Sequence, residues 1–183
     1  MKKSLLIATI LLSIFLSSCS ELGETTPTYT ELISGNHLED DSWGSVSALE
    51  VTEFSIEDML LYAIQDEYSA RTEYEYIMSV FDVETPFTNI LRAEEKHITM
   101  LLPLFETYDI EVPEDTSSDH IIELTTLLST FETGVTAEIL NISMYDLFLE
   151  QNLPDDIRDV FTSLRDASVK HLAAFEKNVE ENS

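Results

Sequence analysis

Cysteine is almost missing from this chain: Cys19 is the only one among 183 residues. A single thiol excludes a disulfide framework and any cysteine-cluster zinc or iron–sulfur site. Positive charge is scarce too, with nine Lys and Arg against 36 Asp and Glu and a formal net charge of −27. Such a surface repels a polyanion, so no nucleic-acid partner is expected. Glycine occurs four times, and three of the four (Gly23, Gly35 and Gly44) precede residue 53. The remaining chain lacks the turn chemistry of β-hairpins, which points to helices. Long apolar runs are also absent. The longest, Leu5 to Leu16, would span ~18 Å as a helix, well short of a ~30 Å hydrocarbon core. What is present is enough apolar side chain for one ordinary core, 44% of the residues, so this is not a disordered acidic tail.

Lys2-Lys3, the apolar stretch after them and Ser17-Ser18 follow the order of a secretory signal peptide. Leu16-Ser17-Ser18-Cys19 resembles a bacterial lipobox, which implies cleavage before Cys19, lipidation of that cysteine and a membrane as partner. Ser20 in place of Asp resembles the pattern of lipoproteins sent to an outer membrane, so the expected location is the cell envelope. Residues 1–18 are read as the signal peptide. Residues 19–52, rich in Ser, Thr, Asp and Glu and without an apolar period, are read as a flexible tether. Trp43, the only tryptophan, falls in that tether, where docking on the domain and contact with a partner are both open. So acidic an exterior suits a saline medium, or it concentrates divalent cations near the protein.

The domain is read as residues 53–180. Ser55 followed by Asp58 predicts a helix over 55–81, with Ile56, Met59, Leu60, Ala63, Ile64, Tyr74 and Met78 on its apolar face. Thr85-Pro86 predicts a second over 86–107, with Thr85 as cap and Pro103 kinking or tightening its last turns. A polar connection then runs to Thr125, long enough to cross the length of a bundle. Thr126 opens a third helix with the stripe Phe131, Val135, Ile139, Ile142, Tyr145 and Phe148. Pro154-Asp155 opens a fourth, burying Ile157, Val160, Phe161, Leu164, Leu172 and Phe175. Gly134, inside the third, predicts close approach of a neighbouring helix. The fold class is therefore all-α, a four-helix bundle with one long crossover between its second and third helices.

Carboxylates and imidazoles interrupt these stripes in each helix: Glu67 in the first, Glu94 and His97 in the second, Glu138 in the third, with Ser168 and His171 in the fourth. Ionised carboxylates converging on a core repel one another, and a divalent metal removes that objection. Three Glu and two His offer oxygen and nitrogen ligands suited to iron, manganese or zinc. The competing reading pairs Glu67 with Arg71 and treats the histidines as hydrogen-bonded core residues.

Asp66-Glu67-Tyr68 with Arg71, Pro86-Phe87-Thr88-Asn89-Ile90, Ala93-Glu94-Glu95-Lys96-His97-Ile98, and Gly134-Val135-Thr136-Ala137-Glu138 with Asn141 and Met144-Tyr145-Asp146 resemble a functionally uncharacterised prokaryotic family of ferritin-like domains, often found on exported proteins. The resemblance implies a ferritin-like four-helix fold with a metal centre of two irons or one between the helices. Glu67 would match a terminal carboxylate, Glu94 a bridging carboxylate, His97 its partner imidazole, Glu138 the third-helix carboxylate and His171 the fourth-helix imidazole. Ser168 stands where the di-iron pattern wants Glu, which puts the second metal in doubt; Asn141 and Asp146 are the neighbouring candidates to complete it. Tyr68 and Tyr145 are candidates to donate a hydrogen bond or an electron, or else are core.

The resulting expectation is an envelope-anchored metal-binding protein whose iron reacts with dioxygen or peroxide as a ferroxidase or peroxidase, with its electron donor unknown. Its rivals are a non-enzymatic metal sequestration module, a metal-free acidic scaffold, and a surface binder of divalent cations. A closed storage cage is not expected on a lipid-anchored arm, and a homodimer is left open.

Overall fold

Two of the predicted helix starts are sealed by reciprocal capping boxes. Ser55 Oγ accepts from Asp58 N–H while Asp58 Oδ2 accepts from Ser55 N–H, at 3.1 and 2.8 Å. Thr126 and Ser129 exchange the same pair of bonds. The structure, a computed structural model, describes residues 43–183. The signal peptide, Cys19 and most of the tether lie outside the described residues.

The described chain is all-helical, with no strand: α1 (Gly44–Ala48), α2 (Ile56–Phe81), α3 (Phe87–Thr107), α4 (Leu127–Leu149) and α5 (Asp155–Asn182). The crossover from α3 to α4 holds one 3-10 turn, Ser117–His120. The four long helices form a bundle in which α2 packs on α3 and α4 on α5, with α2 also meeting α4 and α3 meeting α5. None of the described helices is long and apolar enough to cross a membrane.

Three expectations need correction. Thr85 does not cap α3: Pro86 takes the cap position, the helix starts at Phe87, and Thr88 N–H bonds back to Glu84 O at 2.8 Å. Val135, Ile139, Ile142, Val160 and Leu172 are only half-buried, while Leu140 and Met144 lie in the core. The second half of α4 has apolar residues around most of its circumference, so period alone does not select its inner face. The third correction concerns Trp43 to Leu49, placed in the tether. There α1 is pinned to α2: Trp43 Nε1–H donates to Gln65 O, Gly44 N–H to Gln65 Oε1 and Ser45 N–H to Asp66 Oδ1, at 3.0, 3.3 and 2.8 Å. Gly44 has φ +54°, and a Cβ there would stand 2.7 Å from Asp66 Oδ1, so glycine is the residue this close approach admits.

The core divides into two apolar clusters. One gathers Leu60, Ile64, Leu101, Phe105, Tyr145, Phe148, Phe161 and Leu164; the other Tyr74, Ile77, Phe87, Ile90, Phe131 and Phe175. Along every long helix the change from one cluster to the other falls at the polar residues that interrupt the stripe. A polar layer therefore lies between two apolar ones, and each fully buried Phe or Leu around it contributes ~1.5–3 kcal/mol.

Candidate metal centre

Glu94 and His97 are three residues apart on α3, so both project from one face. Glu67 on α2, Glu138 on α4 and His171 on α5 meet them at the same level, and all five side chains are buried. His97 Nδ1 lies 3.0 Å from Glu67 Oε2 and 2.8 Å from Glu94 Oε2. His171 Nδ1 lies 3.0 Å from Glu94 Oε1 and 3.5 Å from Glu138 Oε1. Neither approach meets hydrogen-bond geometry, so the buried nitrogen faces two carboxylates without a hydrogen-bond partner among the described residues.

The five side chains thus form two triads, Glu67/Glu94/His97 and Glu94/Glu138/His171, each with donor atoms within 4.8 Å of one another. Glu94 belongs to both. Two ligand atoms each ~2.1 Å from an ion and set at right angles stand ~3 Å apart, which is the spacing of the closest donor pairs here. The oxygen and imidazole donors, with a His171 Nδ1 that faces two carboxylates without a hydrogen bond, fit a metal site.

Charges in the cluster are strongly coupled. Burial, with Glu94 as a like-charged neighbour, pushes the Glu67 carboxyl up to about 7, and burial likewise raises Glu138. Burial acts to raise Glu94 too, but His171, His97 and Glu67 outweigh it and hold that carboxyl below its ordinary value. Burial pulls both imidazoles down, yet their carboxylate neighbours win: His97 stands at about 10 and His171 at about 9. Protons shared among these groups offset the charge of the buried carboxylates.

The outer carboxylates are oriented by tyrosines. Tyr145 OH donates to Glu67 Oε1 at 2.6 Å, and Tyr74 OH donates to Glu138 Oε1 at 3.0 Å. Asn141 and Ser168 stand one step away: Ser168 Oγ donates to Asn141 Oδ1 at 2.7 Å, and Asn141 Nδ2 donates to Asp66 Oδ2 at 2.6 Å. Ser168 thus directs its hydroxyl proton at Asn141 rather than at a carboxylate of the triads.

Three of the expected residues are not brought to the cluster. Arg71 pairs with Asp115 across the crossover and sits over the Tyr68 ring, 5.3 Å from its centroid. Tyr68 belongs to the apolar core instead. Asp146 is exposed and pairs with Arg165 at 2.9 Å, because it follows inward-facing Tyr145 by one residue and so turns ~100° away. The arginine alternative therefore fails for Glu67, which pairs with His97. Tyr74 was read only as a core residue; its place seven residues after Glu67, two turns along the same face, was the available signal. Asp66 was missed because both its partners, the Ser45 N–H of α1 and Asn141 Nδ2 of α4, are distant in the chain.

The fold and the cluster define a class: an all-helical bundle with buried carboxylate and histidine groups competent to hold metal ions. The chain belongs to the family described as an uncharacterized protein domain (DUF2202), whose model matches residues 56–183. Its fold is similar to that of the hypothetical protein MJ0754 from Methanococcus jannaschii DSM 2661, with a TM-score of 0.62 and 21% identity over 72% of this chain and 85% of that one. A search of curated proteins finds no match.

Proposed function

We propose that this is a ferritin-like metal-binding domain that holds two ions, iron first among them, and carries out redox chemistry on dioxygen or peroxide. The observation that carries the reading is the sharing of Glu94 between two buried triads, in one of which His171 Nδ1 faces two carboxylates without a hydrogen bond among the described residues. Glu94 would bridge, Glu67 with His97 would hold one ion, and Glu138 with His171 the other. Two divalent ions would set four positive charges against three carboxylates, in place of the protons that these groups share. Bound ferrous ions would supply the electrons and Lewis acidity for reaction with the oxidant.

The chain's own residues fix the arrangement. Tyr145 and Tyr74 hold the outer carboxylates by their Oε1 atoms, leaving Glu67 Oε2 toward His97. The Ser168–Asn141–Asp66 chain of hydrogen bonds supplies no second bridging carboxylate. The two apolar clusters on either side keep bulk water away and strengthen every electrostatic contact between them. At the N-terminus, lipidation of Cys19 would hold the domain at the cell envelope, with the outer membrane as its surface.

The deciding experiment loads the full chain anaerobically with Fe(II), desalts it at high salt and counts retained iron. Two irons per chain in the parent and none in Glu94→Ala are expected. One iron would leave a single-ion site. No retained iron, manganese or zinc would sink the reading in favour of a metal-free acidic scaffold, and binding that vanishes at high salt would assign the metal to the acidic exterior.

A further inference from the structure

The cluster does not account for the space beside it. A cavity of about 130 Å³ runs between α2 and α4 under α1 and the 3-10 turn. Glu94 and Glu138 form its buried end, and half-buried Trp43, stacked on His120 with ring centroids 4.7 Å apart, forms its outer wall. Between them the lining is largely apolar and includes Ala70, Ile77 and Leu140. One polar atom in this wall is uncommitted. Glu73 Oε2 accepts from Ile122 N–H at 3.2 Å, whereas Glu73 Oε1 is buried with no hydrogen-bond partner among the described residues. Asp66, also in the wall, has its oxygens engaged by Ser45 N–H and Asn141 Nδ2.

We propose that this cavity binds a small organic amine, its compact apolar body against Ala70, Ile77 and Leu140 and its ammonium group on Glu73 Oε1. Size sets the first limit: an apolar cavity of ~150 Å³ holds benzene, so a ligand here has about five or six non-hydrogen atoms. Apolar walls disfavour a polyol or a hydrated metal ion. A buried acceptor without a partner calls for a donor. Asp66 is already engaged and Glu94 and Glu138 face imidazoles, so Glu73 is the carboxylate of this wall without a cationic neighbour, and it selects a cationic donor over a neutral or anionic one. Burial holds the Glu73 carboxyl up at about 7, as expected of a group with no compensating charge beside it. The cavity ends on Glu94 and Glu138, so the amine would be the organic substrate of the metal centre. That role rests on the metal-binding reading; occupancy of the cavity does not.

The test uses the full chain in detergent, freed of metal by chelation and labelled with [13C-methyl]alanine, titrated with n-butylamine. Saturable shifts are expected at the Ala70 and Ala137 methyls, which line the cavity, and none at Ala173, which is exposed on α5. Glu73→Gln should weaken binding at least tenfold. Ala70→Val, which narrows the cavity without touching the carboxylate, should weaken it at least fivefold as followed at Ala137. Absence of saturable shifts, or affinity unchanged in both variants, overturns the proposal. Iron retention measured on the same preparation separates the two readings. Retained iron without butylamine binding removes the pocket alone, and butylamine binding without retained iron removes the metal centre and leaves the pocket.

Discussion

Glu94 divides its two oxygens between two imidazoles, Oε2 bonded to His97 and Oε1 facing His171, so a single side chain joins both halves of the cluster. The outer carboxylates depend on different neighbours. Among the described residues Glu67 Oε1 is held by the fully buried Tyr145 hydroxyl, and Tyr145→Phe would leave that oxygen buried without this donor. A loss of about 1–3 kcal/mol is expected, read as a lower urea midpoint at unchanged m value. Tyr74→Phe should cost less, since its bond to Glu138 is longer and His171 remains 3.5 Å from the same oxygen. The five cluster residues were legible in the sequence because a charged side chain on an apolar stripe is conspicuous. Tyr74 was not, because a tyrosine there looks the same whether its hydroxyl bonds a carboxylate or is merely buried.

Helix α4 reaches α5 at Gly134, where a Cβ would stand 2.7 Å from the Phe175 ring. That ring is itself wedged against Tyr74 and Phe87, with centroids 5.5 Å away in each case, and cannot retreat. Gly134→Ala gains ~1 kcal/mol in helix propensity but suffers overpacking of ~1–3 kcal/mol, and the rigid ring places the clash at the upper end. Net destabilisation of about 1–2 kcal/mol is expected, visible as a lower melting temperature. A glycine free of steric conflict would show the opposite shift. Sequence foresaw this close approach because glycine inside a helix needs a reason, and it foresaw the α2 and α4 starts because capping residues act locally. The register of α4 was not foreseen, since an apolar residue on nearly every side leaves the choice of face to tertiary packing. Nor was α1, whose five residues are too few to show a period and whose hold on α2 is long-range.

At the scale of the whole molecule, stability and metal binding compete for the same protons. Glu67 at about 7, His97 at about 10 and His171 at about 9 all hold protons more tightly than in an unfolded chain, where ~4.3 and ~6.5 apply. For each, the stabilisation is complete below the unfolded value and disappears as pH rises through the folded value. Stability of the metal-free protein should therefore fall between roughly pH 4.5 and 7 through Glu67, and on toward pH 10 through the histidines. Glu94, held low, works in the opposite sense and limits stability only on the acid side. The acidic exterior adds repulsion as the imidazolium charges are lost, so the slope should be steeper at low salt. On the proposed metal-binding reading the sign reverses, because Glu67, Glu138, His97 and His171 would give up protons to bind and affinity would climb with pH. Melting curves of the chelated protein at pH 6 and pH 9 should show the lower midpoint at pH 9. Saturating Fe(II) under anaerobic conditions should raise the pH 9 midpoint more than the pH 6 one. A metal-free stability that rises toward pH 9 would mean that the buried carboxylates and imidazoles do not share protons as their spacing implies.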